Sequence, residues 1–434
     1  MTFYHATRYF IALALPMIVS NIFLPLVGLV DTAIVGHLPG SHYLAGVALG
    51  SIIITQLIWV CGFLRMAVTG LSAQSSAPEQ KQESISVLGN GALLALLLGV
   101  LLWFLSPFLF QMGVYFSGSN TQVVAIAEDY FFIRISVAPV SLLNLVLIGW
   151  LLGRQQHKNV MKIQIIANLL NMLLSVFLAI GLAMETAGVA IATALSECLV
   201  LLMSLFTIAK FEAQWWRRFY IAKKSLQRLL RLNRDVFFRN LCLQIFLGIF
   251  TYLGLQQGQL TAATNAVLMQ FFVLIALGLD GVAYAAEALL GEASGKNSKS
   301  KFRLWIKVSL LVSSVLAICY TLVFALGFRF ITHLLTDITE VQEYIQQFKI
   351  YIVFLPLVAH WCFLLDGWYV GLTQARAMLL TMLLSAGVAV SWYALHFLSL
   401  NADILWQGFL LFLLARGILL GGHFYYRLYH RYHA

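Results

Sequence analysis

Long apolar runs, separated by short polar connections, set the pattern of this chain. From Ile11 to Val30 no charged residue occurs, and similar stretches recur to the end. A hydrocarbon core of ~30 Å is crossed by about 20 consecutive apolar residues in a helix. Twelve segments meet that requirement, roughly 8–36, 44–70, 86–112, 121–150, 159–181, 187–209, 236–256, 262–291, 304–328, 342–371, 377–399 and 403–426. A β-barrel would show short alternating segments instead. The first run is too long for the core of a signal peptide and ends in no small-residue cleavage site, so it is read as a retained spanning helix. The predicted class is an all-α polytopic membrane protein with twelve transmembrane helices.

Composition agrees with the pattern. Of 434 residues, 61% are hydrophobic and 10% charged, too little charge to cover a soluble surface. The formal net charge of +10 acquires its meaning from its distribution. Lys and Arg gather at both termini and in the connections 72–85, 151–162, 210–239, 292–307 and 372–376, while the opposite connections carry Arg329 alone. Basic connections stay cytoplasmic. The expectation is therefore a multi-pass protein of the cell's inner membrane with both termini cytoplasmic. The charge reflects topology, and no nucleic-acid partner is implied. Aromatics beside arginines in WWRRFY (215–220) suit an interfacial amphipathic helix in the basic connection.

That connection splits the spans into two groups of six. GWLLG at 149–153 closes the fourth span and GWYVG at 367–371 closes the tenth, each about three turns after a proline, Pro139 or Pro356. Six helices per half give both halves the same orientation, the arrangement of parallel repeats. The expected organisation is an N-terminal six-helix lobe at 1–209, a basic cytoplasmic linker at 210–235 and a C-terminal six-helix lobe at 236–434.

Enzyme motifs are missing: the sequence has no HExxH, GxSxG or DDxxD. GEASGKNS at 291–298 falls one residue short of a phosphate loop and has Asn297 where the magnesium-binding hydroxyl belongs. His5, His37, His42, His157, His430 and His433 lack metal-ligand spacing, and the five cysteines form no CxxC pair. Neither an enzyme nor a resident cofactor or metal is expected, and any pumping draws on an ion gradient.

Charge inside a span has an insertion cost of ~2.5–3.5 kcal/mol at mid-bilayer, so each such residue needs a reason. The set is Asp31, Arg134, Glu197, Asp280, Glu287, Asp366 and Arg416. Arg134 and Glu197 are read as a structural ion pair. Glu287 and Asp366 lie near the basic ends of their helices, and Asp280, with Tyr284 one turn on, lies deeper. Asp31 sits toward the far end of span one, opposite a polar stripe on span five. Gln164, Asn168, Asn171 and Ser175 are spaced four, three and four apart, one face of a helix. Thr193 on span six falls at a similar height. Amide and hydroxyl neighbours can donate to a carboxylate or accept from a carboxylic acid, which makes Asp31 a group suited to take and release a proton. Pro16 and Pro25 let the same helix kink. The competing reading keeps Asp31 as a helix-packing hydrogen bonder. Gln164, Asn168, Asp280, Tyr284 and Asp366 are further candidates for polar contact with substrate.

The sequence resembles the multidrug and toxic compound extrusion transporters, in particular their DinF-type branch, over nearly its whole length. The stretches that carry this are ALPMIVSN and LVDTAIVGHLPG in span one and IIANLLNMLLS in span five. LDGVAYAAEALLGEASG at 279–295 and LDGWYVGLTQARAM at 365–378 carry it in the second half. The resemblance implies two six-helix lobes around a V-shaped central cleft, alternating access, and export of amphiphilic or cationic compounds against H⁺ or Na⁺. It matches Asp31 to the family's first-helix acid, Asn171 to its span-five asparagine, Thr193 to its span-six hydroxyl and Pro16 to the proline at which the first helix bends. Where relatives often place a second acid, this chain has Ser175. One carboxylate suits a proton better than Na⁺, which prefers several oxygens. The expected function is H⁺-coupled multidrug efflux by a monomer in a lipid bilayer. A Na⁺-coupled antiporter and a lipid or lipid-linked oligosaccharide flippase remain open, although a flippase for diphosphate head groups would want a strongly basic cavity.

Overall fold

The computed structural model of the chain describes residues 2–115, 120–212, 215 and 222–429. Arg217, Arg218, His430 and His433, and most of WWRRFY, lie outside them. Among the described residues every regular element is helical. In chain order these are α1 (Phe3–Gly36), α2 (Ser41–Val60), α3 (Phe63–Gln74), α4 (Lys81–Tyr115), α5 (Thr121–Ser136), α6 (Ala138–Gly153), α7 (His157–Val176) and α8 (Glu185–Phe211). Then follow α9 (Lys223–Gln256), α10 (Gln259–Gly295), α11 (Lys299–Leu335), α12 (Thr339–Tyr344), α13 (Lys349–Gly371), α14 (Ala375–Leu395) and α15 (Ala402–His423).

Among the described residues, eleven helical segments are long and apolar enough to cross a bilayer, and α5 with α6 supplies a twelfth bent by 50°. The predicted twelve spans are thus present, and the fourth is broken. Pro139, near the start of α6, has no N–H to give to Ile135, so the backbone turns at Val137. A helix start needs no such donor, which lets α6 begin there. Elsewhere the chain caps its own helix starts. Asn120 accepts from the Val123 amide and Asn401 from the Ile404 amide, each at 2.9 Å.

Packing divides the chain into two units, one of residues 19–233 and one of residues 1–18 with 234–434. The division differs from the expected lobes in the first 18 residues, which group with the second half. The packing is close: a Cβ on Gly281 of α10 would lie 2.5 Å from Ile18 Cγ1 and 2.9 Å from the Ile18 nitrogen. The basic connection is also shorter than it reads. Residues 223–239 are the opening turns of α9, and Arg239 is buried rather than set in a cytoplasmic loop.

The internal echo extends to atomic detail within each unit. Trp150 donates its indole N–H to the Ser84 carbonyl at 3.0 Å; Trp368 donates to Ser309 Oγ at 3.0 Å. Gly149 and Gly153 admit the backbone of α3, as Gly367 and Gly371 admit that of α10. Both α6 and α13 end in the same cap. The Gln155 amide bonds the Leu152 carbonyl and the Gln156 amide that of Leu151; Thr373 bonds Val370 and Gln374 bonds Tyr369, all at 2.9 Å. Each cap holds a non-glycine residue in the left-handed region, Gln155 at φ 59° and Thr373 at φ 55°. Two different sequences keep one strained cap, as expected of a duplicated unit.

Candidate functional site

Two hydrogen bonds fasten α1 to α7 in the first unit. Ser20 Oγ donates to Gln164 Oε1, and Ser175 Oγ donates to Asp31 Oδ1 at 2.9 Å. The partners are eleven residues apart on both helices, three turns, so the two helices run parallel and meet along one face of each. The predicted polar stripe of α7 therefore faces α1 as expected. Gln164 serves that seam by accepting from Ser20, and Asn168 is half-buried on the same face.

Of the expected group, Ser175 bonds Asp31. Ser175 is fully buried, and Asn171, one turn before it, is 3% exposed. Asn171 Oδ1 is buried and accepts no hydrogen bond. Thr193 does not join: its hydroxyl donates to the Val189 carbonyl of its own helix at 3.0 Å. Pro16 and Pro25 both lie inside the continuous helix α1. Pro16 stands two residues before the point at which α1 passes from one packing unit to the other.

Arg134 is the cation that sequence reasoning placed elsewhere. The expected Arg134–Glu197 ion pair is not formed. Glu197 accepts from Asn144 Nδ2 at 2.7 Å, and that amide also reaches the Glu197 carbonyl at 2.9 Å. Arg134 instead bonds Tyr130, one turn back on α5, and its charge acts on Asp31. The Tyr130 hydroxyl also bonds Ser51 of α2. Nε and Nη1 of Arg134 are buried without acceptors. The i, i+4 spacing of Tyr130 and Arg134 was the available signal.

The acids of the second unit have a different setting. Asp366 Oδ2 receives both Arg239 Nη2 and Arg416 Nη2. The two arginine side chains are 8% exposed and that of Asp366 14%. Asp280 lies in the field of both arginines, and Glu287 is buried. Tyr284, one turn beyond Asp280, is half-buried. Asp366 is thus a counter-ion rather than an exposed substrate contact. Among the described residues no group of three or more His, Cys, Asp or Glu side chains is placed to hold a metal ion.

The described residues thus form helical units with a recurring cap, a carboxylate held between two spanning helices and a nearly buried charge cluster. The MatE family model matches residues 16–177 and again 236–393, once in each repeat, and the chain belongs to this family of transporters. It is 38% identical to DNA damage-inducible protein F of Escherichia coli K12 over 94% of this chain and 89% of that protein. It is 23% identical to the probable multidrug resistance protein NorM of Thermotoga maritima over 67% of this chain and 63% of that protein. Among solved structures, a MATE protein in a bent conformation superposes with a TM-score of 0.84 at 18% identity, covering 96% of this chain and 95% of that one.

Proposed function

We propose that the chain is a proton-coupled exporter of amphiphilic, mainly cationic compounds, with Asp31 as the proton carrier. The observation that carries this reading is the Ser175–Asp31 bond, one helical turn from the buried Asn171 Oδ1, which accepts no hydrogen bond. An ionised carboxylate only accepts, so it cannot serve that oxygen. A protonated one gains an O–H donor. Protonation therefore offers Asp31 a second partner on α7 and changes how α1 rests on it. Thr193 enters the network if its hydroxyl turns from Val189. Pro16 removes a backbone bond from α1 and gives the change a place to bend.

Arg134 supplies the charge logic. With Asp31 ionised the pair is neutral and tolerates a cationic guest. With Asp31 protonated a net positive charge remains and repels it. Proton entry thus expels a cation. One proton entering for one monovalent cation leaving moves no net charge, so the pH gradient drives that exchange, and the membrane potential adds ~2.3 kcal/mol per 100 mV only for each further proton that enters. Na⁺ is the weaker candidate: the donor set offers one carboxylate, and the charge of Arg134 acts on it.

Purified protein in liposomes tests the reading. A pH gradient without Na⁺ should drive export of a fluorescent organic cation. Export only under a Na⁺ gradient would overturn it and make Asp31, Asn171 and Ser175 metal ligands. Active lipid scrambling without dye export would favour the flippase.

Orientation in the inner membrane has its own test. In a background without the native cysteines, single cysteines at 37–43 and 400–402 should react with an impermeant maleimide added outside intact cells. Cysteines at 222–230 should react only after permeabilisation. External labelling at 222–230 would reverse the topology.

A further inference from the structure

A cavity of about 520 Å³ opens between α9 and α14 of the second unit. Phe238, Leu241, Cys242, Ile245, Phe246 and Ile249 line it from α9; Leu379, Leu383, Ala386, Gly387 and Val390 line it from α14. Steps of three and four on both helices make it a groove along two helical faces. Gly387 contributes to its width, because a Cβ there would meet no atom within 4 Å.

The same register continued toward the start of each helix reaches a basic residue. Arg234 precedes Phe238 by four positions, and Arg376 precedes Leu379 by three. Both helices run from this end: α14 starts at Ala375, and α9 starts about three turns before Arg234, at Lys223. Their Cα–Cβ bonds tilt toward it, so both guanidinium groups lean away from the groove and over its mouth. The Arg234 side chain is 63% exposed while bonding Asp235 at 2.8 Å, and Arg376 is exposed. Both helices are membrane-spanning segments. The groove is lined by apolar side chains of these two segments, and the two cations lie about one turn beyond that lining.

We propose that this groove binds an anionic phospholipid, with an acyl chain along Phe238, Cys242, Leu383 and Gly387 and the phosphate between Arg234 and Arg376. An empty groove would forfeit dispersion contacts along both walls. Guanidinium groups match phosphate oxygens in charge and in bidentate geometry.

The full-length protein reconstituted in vesicles of phosphatidylcholine with a minor fraction of phosphatidylglycerol, then extracted and examined by native mass spectrometry, tests this. Phosphatidylglycerol should be enriched on the parent protein over its share of the vesicle. Arg234→Gln with Arg376→Gln should remove the enrichment, by about fivefold for each cation lost. Gly387→Leu, which fills the groove, should lower retention of both lipids. Arg376→Gln alone alters an exposed side chain and reports even if the double variant folds poorly. Phosphatidylglycerol retained equally by parent and arginine variants would overturn the proposal. So would displacement of the lipid by an exported organic cation, which would make the groove part of the substrate path.

Discussion

Asp31→Asn should reduce proton-driven export to the level of cells lacking the protein, while expression and thermal stability stay close to the parent. Asn keeps an Oδ1 that can accept from Ser175, so the α1–α7 bond survives. Its amide also supplies an N–H donor, which the ionised acid lacks and the protonated acid has. The variant imitates the protonated acid at every pH and cannot cycle. Loss of the anion leaves Arg134 with Tyr130 as its remaining partner, a cost of about 1 kcal/mol. A distance probe between the Asp31 end of α1 and the Ser175 end of α7 should respond to pH in the parent and stay fixed in the variant. Undiminished proton-coupled export by Asp31→Asn would reduce Asp31 to a packing residue and redirect attention to the acids of the second unit.

Much of this protein is written in its period and composition. Apolar runs gave the twelve spans, and GWLLG and GWYVG gave the repeat that Trp150, Trp368 and the paired caps display in atomic detail. The face of α7 was legible because Gln164, Asn168, Asn171 and Ser175 share one helical stripe. Partner choice was not. Periodicity fixes which side of a helix a residue occupies, and says nothing of which neighbour it meets. Arg134 and Glu197 looked like a pair on charge alone, yet Asn144 takes the glutamate and Tyr130 the arginine. Arg239 was counted among topology-setting charges because it follows a basic run. In the fold that run is the opening of α9, which carries Arg239 inward to Asp366. Thr193 bonds its own backbone, an option open to any helical threonine and invisible in sequence.

The second unit carries the other large effect. Asp366→Asn should destabilise the folded protein by about 3–5 kcal/mol, because it leaves two nearly buried guanidinium groups facing each other without their shared anion. Asp280 offsets part of the repulsion through its field but leaves the Oδ2 contacts unreplaced. Loss of transport by this variant should therefore track loss of folded protein, seen as a lower unfolding midpoint in detergent. The triple change Asp366→Leu, Arg239→Met and Arg416→Met removes all three charges together and keeps similar volumes. Replacing a buried ion triad by apolar side chains is often neutral or stabilising, so the triple variant should recover most of the midpoint, short by what Asp280 loses with both arginines. Its transport then separates structure from coupling. Proton-driven export by the refolded triple variant would establish that Asp366 holds the unit together while the proton travels through Asp31. A stable Asp366→Asn protein that no longer pumps would overturn that assignment and make the Arg239–Asp366–Arg416 cluster a coupling element in its own right.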